Sequence, residues 1–229
     1  MRLCPDGTFP LGHNHNAFVD LIGDDRLAGS WVVANRDMNR GRGLSGRDGY
    51  ARVLGIDLGA HLSGPAHWLD LCCGQGKALL AAASPGLRIT GVDLVDAFPA
   101  SPPGVQFVAA SVAEWVPEDR FDLITCVHGL HYVGDKLGLL ARIASWLTAD
   151  GLFVANFDAA AIRFPGSAPA GNRVTAALRA AGFSYDGRAH RISRRGPATV
   201  EFGFRYLGAD DRAGPNYTGQ PAVHSYYEP

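Results

Sequence analysis

Residues 66–78 read Ala66-His-Trp-Leu-Asp70-Leu-Cys72-Cys73-Gly74-Gln-Gly76-Lys-Ala78. The apolar run at the start predicts a buried strand, the two glycines predict a tight turn, and the apolar pattern from Ala78 onward predicts a helix. Glycine lets a ligand come close to the backbone, and a helix N-terminus presents unpaired N–H groups to it. The segment therefore predicts a strand, a turn and a helix that together hold a ligand, with an acid at the carboxyl end of the strand.

A second apolar strand also ends in an acid. It reads Arg88-Ile-Thr-Gly-Val-Asp93, and Asp93 follows Gly76 by 17 residues. An acid at that position of a nucleotide-binding βαβ unit hydrogen-bonds the ribose hydroxyls. The dinucleotide fingerprint G-x-G-x-x-G would need a third glycine at position 79, where this chain has Leu79. The spacing therefore indicates a nucleoside site and weakens the interpretation as a site for the pyrophosphate of NAD.

The segment from Leu69 to Gly76 resembles the D-x-G-x-G-x-G signature of class I S-adenosylmethionine-dependent methyltransferases. Cys72 stands where that family usually has its first glycine. A small cysteine side chain still lets the backbone approach a ligand. The resemblance implies that S-adenosylmethionine is the cofactor.

The same resemblance implies where each part of the cofactor lies. The methionine part would lie against Asp70 and the glycine turn, the ribose on Asp93, and the adenine on Leu94. Ser111, after the third strand, stands where relatives bind the adenine amino group, and with Glu114 it also has the capping-box spacing of a helix N-cap. The implied cofactor contacts are Asp70, Cys72, Cys73, Gly74, Gly76, Asp93, Leu94, Ser111 and Val112.

Strand patterns alternate with helix patterns along the middle of the chain. Helices are expected at 76–83, 135–147 and 172–181, and strands at 67–71, 88–92, 105–109, 121–127 and 151–157. Two further alternating segments, near 183–193 and 198–207, have no helix between them and predict an antiparallel hairpin. We therefore expect an α/β fold with a doubly wound, Rossmann-like, mostly parallel seven-stranded sheet and an antiparallel last strand. The expected organisation is an N-terminal arm and lid segment (1–60), a methyltransferase core (61–207) and an aromatic tail (208–229) packed on the core or on a dimer partner.

The segment after the fourth strand carries the most reactive side chains. It reads Cys126-Val-His128-Gly-Leu-His131-Tyr132, and ligands of this fold bind beyond the carboxyl ends of the strands. His131 is the first candidate for a general base, because an imidazole titrates near neutral pH. His128 and Tyr132 are the further catalytic candidates on this segment, and His128 is also expected to line the cofactor. The alternative is that these side chains only pack, since an amine acceptor needs no strong base.

Arginine and glycine are concentrated in residues 36–58. This segment is either a solvated connector or a lid over the cofactor. In the second case Tyr50 and Arg52 are the candidates to hold the cofactor's carboxylate and cover its sulfonium.

Composition limits the partners and the compartment. The chain has 229 residues, 47% of them hydrophobic, with 21 Lys and Arg against 22 Asp and Glu. This balance favours a small-molecule acceptor and gives no reason to expect nucleic acid or a membrane. There is no signal-peptide pattern, so we expect a cytoplasmic protein with reduced cysteines. The pair His13 and His15 is interpreted as a polar turn, no metal is predicted, and the aromatic tail is compatible with a homodimer.

The leading hypothesis is a methyltransferase that uses S-adenosylmethionine to methylate an oxygen, nitrogen or acidic carbon of a small organic molecule, with a role in specialised metabolism. An RNA methyltransferase is the first alternative, with Arg40, Arg42, Arg47 and Arg52 as phosphate contacts. The charge balance and the absence of an N-P-P-[YF] motif after the fourth strand argue against it. A non-catalytic S-adenosylmethionine-binding partner subunit is the second alternative.

Overall fold

The computed structural model describes residues 8–10, 18–34, 41–166 and 171–229. His13, His15 and Arg40 lie outside these ranges. Near the N-terminus, where the sequence suggested only a loop, two short strands pair antiparallel: β1 (Thr8–Pro10) and β2 (Phe18–Asp20). Four short helices follow, namely α1 (Asp24–Ala28), α2 (Trp31–Ala34), α3 (Tyr50–Leu54) and α4 (Leu58–Leu62).

A seven-stranded sheet forms the centre of the molecule. Its strands are β3 (Ala66–Leu71), β4 (Leu87–Asp93), β5 (Val105–Ala109), β6 (Phe121–Cys126), β7 (Leu147–Asn156), β9 (Ser184–Asp186) and β10 (Arg191–Arg195). The spatial order is β5-β4-β3-β6-β7-β10-β9. The first five of these strands are parallel, and β10 runs antiparallel to both β7 and β9. The predicted fold class is confirmed.

Both faces of this sheet are buried, as expected for parallel strands. Along β3, Trp68 packs into one apolar cluster while Leu69 and Leu71 pack into another on the opposite face. The first cluster is completed by α3, α4 and α5 (Lys77–Ala82), and the second by α6 (Lys136–Ser145) and α7 (Gly171–Ala180). The carboxyl ends of the parallel strands are therefore left as the place for a ligand.

The C-terminal part differs from the prediction. The hairpin of β9 and β10 lies almost wholly within the first expected segment, 183–193, and the second segment, 198–207, adds no strand to the main sheet. Instead, β11 (Arg205–Asp210) pairs with β12 (His224–Glu228), which pairs with β8 (Ile162–Arg163) in a separate three-stranded sheet. Strand β11 thus crosses the boundary expected at residue 207, and β12 packs on the body of its own chain.

Hydrogen bonds from the Val223 amide and from the Lys136 side chain join the start of β12 to the segment after β6. The Val223 amide donates to the His131 carbonyl at 2.9 Å. The Lys136 ammonium is buried and donates to the Val133 carbonyl, the Val223 carbonyl and the Ser225 hydroxyl, at 2.7, 2.8 and 3.0 Å. The C-terminal strand therefore helps to hold the histidine-bearing turn in place.

Among the helices built from the described residues, none is long and apolar enough to cross a membrane.

Candidate functional site

The turn after β3 has a left-handed backbone at alternate positions. The φ angles are 57° at Cys72, 62° at Gly74 and 67° at Gly76. A cysteine is unusual in this region, because its Cβ crowds the backbone. Room for the side chain comes from Gly129, where a Cβ would lie 2.8 Å from the Cys72 sulfur. Cys72 therefore has a left-handed backbone conformation that usually requires glycine, and its side chain fits there because the neighbouring residue is Gly129.

Asp93 at the end of β4 braces this turn. Its Oδ2 accepts the Gly74 amide at 2.9 Å and its Oδ1 accepts the Val95 amide at 3.1 Å. The residue is only 2% exposed. Asp93 therefore ties the end of β4 to the glycine turn, and its contact with ribose hydroxyls stays a prediction.

Asp70 is enclosed by protein. Its carboxylate accepts hydrogen bonds from the Tyr50 hydroxyl at 2.7 Å and from the Thr125 hydroxyl, which in turn accepts the Trp68 indole N–H at 2.8 Å. Burial raises the pKa of Asp70 to about 7, although both hydroxyl donors oppose this shift. Asp70 therefore fastens α3 to the sheet, and its contact with the cofactor stays a prediction.

The contact of Tyr50 and Arg52 with the cofactor also stays a prediction. The Tyr50 ring is buried edge-on against Trp68, with ring centroids 6.1 Å apart, and Arg52 is exposed. Residues two apart on a helix point to different sides, so Tyr50 and Arg52 do not share a face. Cys73 is likewise turned inward: its sulfur packs in the apolar cluster beneath α5.

A cleft opens at the carboxyl ends of β3, β4 and β5. Its cavity volume is about 40 Å³, and it brings together four predicted cofactor residues, namely Cys72, Leu94, Ser111 and Val112. The other lining residues come from the N-terminal helices, from the turn after β5 and from the segment after β6: Asp24, Leu27, Ala28, Val33, Ala113, Tyr132, Val133 and Gly134. The cleft is therefore lined on one side by α1 and α2, which lie within the arm and lid segment expected at residues 1–60.

Ser111 caps a turn in this cleft. Its hydroxyl oxygen accepts the Ala113 amide at 3.2 Å, and its carbonyl accepts the amides of Glu114 and Trp115. Residues 111–115 form no helix, so the predicted helix N-cap is wrong although the hydrogen-bonding pattern of a cap is present. The hydroxyl keeps its own proton and a second lone pair for a ligand.

The 3₁₀ turn Gly129–Tyr132 separates the cleft from a second group of side chains. Tyr132 lines the cleft. His128 and His131 lie on the other side, with their rings stacked 5.7 Å apart. The His128 backbone has a φ of 57°, and its amide donates to Asn156 Oδ1 at 3.2 Å. His128, His131 and Tyr132, the residues predicted for catalysis, thus lie on one turn. Tyr132 faces the cleft, and the two histidines face the second group of side chains.

We call the second group the ring cluster, and it consists of His128, His131, His190 and Tyr217. Tyr217 stacks on His190 with centroids 3.7 Å apart and planes 6° from parallel, and it meets His131 edge-on at 5.3 Å. Burial, with the positive charge of Arg42, lowers the pKa of His128 to about 4. Burial, with His128 and Lys136, lowers the pKa of His131 to about 3.

These pKa values decide the chemistry that the cluster can perform. Both imidazoles are uncharged at neutral pH, but a group with a pKa near 3 is a weak proton acceptor. The environment of His131 therefore does not support the predicted general base. His131 is 2% exposed, and its Nε2 has no hydrogen-bond partner among the described residues.

Two members of the ring cluster escaped the sequence analysis. His190 lies in the turn between β9 and β10, and Tyr217 lies in the loop before β12, far from any recognised motif. Asn156, at the end of β7, and Asp158, just beyond it, contact them: Asn156 hydrogen-bonds the Tyr217 hydroxyl, and Asp158 Oδ1 lies 3.9 Å from His190 Nδ1. In the described part of the chain, no three His, Cys, Asp or Glu side chains are grouped as a metal would require.

Comparison with known proteins identifies the family. The model of a methyltransferase domain matches residues 45–187, more than half of the chain. The chain therefore belongs to the methyltransferase-domain family, and its strand order agrees with the class I S-adenosylmethionine-dependent type that the sequence resembles.

Individual relatives match over shorter stretches. The trans-aconitate 2-methyltransferase of Acidovorax sp. (strain JS42) is 37% identical over 105 residues, covering 42% of this chain and 41% of that protein. The enzyme of the same name from Escherichia coli O7:K1 is 37% identical over 89 residues, covering 36% and 35%. The chain thus spans about two fifths of the length of these relatives. The N-methyltransferase NodS of Bradyrhizobium japonicum has a TM-score of 0.42 and 16% identity, over 62% of this chain and 84% of that one.

S-adenosylmethionine is the cofactor that this family and fold imply, and the residue types that line the cleft suit it. Leu94 and Val112 offer apolar walls to the faces of an adenine, and Ser111 offers a hydroxyl to its edge. Cys72, at the left-handed turn after β3, lines the same cleft.

Proposed function

We propose that the protein transfers the methyl group of S-adenosylmethionine to an oxygen of a small organic carboxylate. The observation that carries this proposal is the pairing of a cleft lined by Leu94, Ser111 and Val112 with a ring cluster across one short turn, Gly129–Tyr132. The cofactor supplies an electrophilic methyl group on a positively charged sulfur. The carboxylate oxygen forms a bond to the methyl carbon while the carbon–sulfur bond breaks, and the electron pair of that bond goes to sulfur.

A carboxylate acceptor matches the weak bases of the site. It is already ionised at neutral pH, so the reaction releases no proton and needs no general base. The main task of the protein is then to position the acceptor and exclude water. His131, His128 and Asn156 supply polar atoms for positioning from the ends of β6 and β7.

Charge also supports an anionic acceptor. The positive charge of Arg42 reaches the ring cluster, because it lowers the pKa of His128 and counteracts the rise in the pKa of Tyr217. The negative charge of Asp158, which lies close to His190, has the opposite effect and raises the pKa of Tyr217. An acceptor carboxylate would therefore lie toward Arg42. The name of the two curated relatives, trans-aconitate 2-methyltransferase, agrees with an acceptor of this chemistry.

The test is a methyl-transfer assay with S-adenosylmethionine labelled in the methyl group. The acceptors are trans-aconitate, other small organic acids, and matched panels of amines and phenols. We expect label in a base-labile methyl ester of an acid. Label only in amines or phenols would contradict the carboxylate assignment, and cofactor binding without any turnover would favour the non-catalytic alternative.

The compartment and the assembly are also proposals. Cys72, Cys73 and Cys126 are free thiols, which supports a reducing compartment such as the cytoplasm. The tail tyrosines that suggested a homodimer are largely used within the chain, since Tyr226 and Tyr227 are buried. A homodimer therefore stays a prediction, to be tested by sedimentation of the purified protein.

A further inference from the structure

Tyr217 lies at the tip of a small self-contained turn, residues 214–222. The Asn216 amide donates to the Gln220 carbonyl at 2.8 Å, and the Ala222 amide donates to the Gly214 carbonyl at 3.1 Å. Asn216 Oδ1 also accepts the amide and the hydroxyl of Thr218, at 2.8 and 2.6 Å. The turn can therefore present a side chain at its tip with little help from neighbouring elements.

The base of this turn is anchored next to the histidines. Val223, the residue after the turn, donates its amide to the His131 carbonyl at 2.9 Å. The Tyr217 ring then covers the His190 ring face to face and the His131 ring edge-on. It is still 40% exposed. Tyr217 is thus a side wall between the ring cluster and solvent, and not part of the apolar core.

Beneath this wall is a buried polar atom that the protein leaves unused. His131 Nε2 has no hydrogen-bond partner among the described residues, although the residue is 2% exposed. A buried imidazole nitrogen without a partner is unfavourable, so this atom is available to a bound molecule. His131 lies between the two compartments, because its turn also carries Tyr132 of the cleft.

From these contacts we infer that Tyr217 and His190 form the wall of the acceptor subsite and select a flat organic carboxylate. The inference rests on the proposed function and adds the residues that determine its acceptor. The exposed part of the Tyr217 ring offers an aromatic surface to a flat group, and His131 Nε2 provides a hydrogen-bonding atom toward its inner end. The positive charge of Arg42 acts on His128 and on Tyr217.

The test measures binding of trans-aconitate, used as a flat carboxylate probe, to protein saturated with S-adenosylhomocysteine. The variants are Tyr217→Ala, Tyr217→Phe, His190→Asn and Gln220→Ala. Asparagine tolerates the left-handed backbone of His190, whose φ is 46°. Gln220 lies in the same turn and contributes its backbone carbonyl to it, so Gln220→Ala is the matched control.

We expect Tyr217→Ala and His190→Asn each to weaken trans-aconitate binding about tenfold, since each removes one ring contact of the subsite. Tyr217→Phe keeps the ring and should stay within about threefold of the wild type, a loss typical of one exposed hydrogen bond. Affinity for S-adenosylhomocysteine should not change in any variant.

Three results would contradict either the inference or the proposed function on which it rests. Equal probe affinity in wild type, Tyr217→Ala and His190→Asn would remove the wall from acceptor recognition. Tight S-adenosylhomocysteine binding without any trans-aconitate binding by the wild type would refute the flat carboxylate while leaving the cofactor assignment intact. Failure to bind S-adenosylhomocysteine would instead contradict the proposed function itself.

Discussion

Replacing Asp70 by asparagine should change how the stability of the protein depends on pH. Burial raises the pKa of this carboxyl from its ordinary value of 3.8 to about 7 in the folded protein. The folded state therefore binds more protons than the unfolded state between these two values, and the free energy of unfolding falls as pH rises through them. Above pH 7 the buried carboxylate is ionised, and the full cost of burying its charge lowers the free energy of unfolding.

The magnitude follows from the shift. About three pKa units correspond to about 4 kcal/mol at about 1.4 kcal/mol per unit. Asparagine has nearly the same shape and no charge, and its amide can still bond the hydroxyls of Tyr50 and Thr125. The stability of Asp70→Asn minus that of the wild type should therefore increase by about 4 kcal/mol between pH 4 and pH 8. Taking this difference cancels the buried Lys136, which titrates in both proteins.

The assay is urea unfolding at closely spaced pH values, followed by tryptophan fluorescence. Asp96 is exposed on the loop after β4, so Asp96→Asn removes one carboxylate without the burial and should follow the wild-type curve. A stability difference between Asp70→Asn and the wild type that is the same at pH 4.5 and pH 8 would refute the reasoning. In that case the carboxylate would be ionised at both pH values, and its two hydroxyl donors would outweigh burial.

Three further substitutions test other parts of the structure. Lys136→Met leaves two carbonyls and a hydroxyl without their donor and should lower the free energy of unfolding by about 3 kcal/mol in urea titrations; a loss below about 1 kcal/mol would argue against this buried contact. Gly76→Ala should cost about 1–3 kcal/mol in the same assay, because φ is 67° and the new Cβ would overlap the Phe107 ring; unchanged stability would mean that the turn has another conformation. Ser111→Ala should weaken S-adenosylmethionine binding about fivefold, by calorimetry, through loss of one hydrogen bond; unchanged affinity would place the adenine elsewhere.

The central sheet could be predicted from the sequence because its signals are local. Apolar runs mark the parallel strands, two of which carry an acid at or near the carboxyl end, Asp70 in β3 and Asp93 in β4. Asp135 marks the start of α6, where its side chain accepts the Gly138 amide. The C-terminal hairpin was misplaced because Phe202 and Phe204 alternate as in a strand. They are partly buried and make aromatic contacts with Phe183 and Phe164, respectively, and left-handed Gly203 between them interrupts the strand.

The candidate site also has residues that the sequence predicts and residues that it does not. Leu94, Ser111 and Tyr132 were predicted because they follow strands that the sequence defines, and the cleft brings them together. Tyr217 and His190 could not be predicted, since their contact depends on how two distant loops fold back onto the sheet. The burial of Asp70 could not be predicted either, because it depends on the packing of α3 over a fully formed core.

The most direct measurement is calorimetric titration of the purified protein with S-adenosylmethionine and, separately, with NAD. We predict micromolar binding of S-adenosylmethionine at one site per chain and no binding of NAD, because Leu79 replaces the third glycine of the dinucleotide fingerprint. Binding of NAD without S-adenosylmethionine would contradict the assignment of the cleft and of the turn at Cys72.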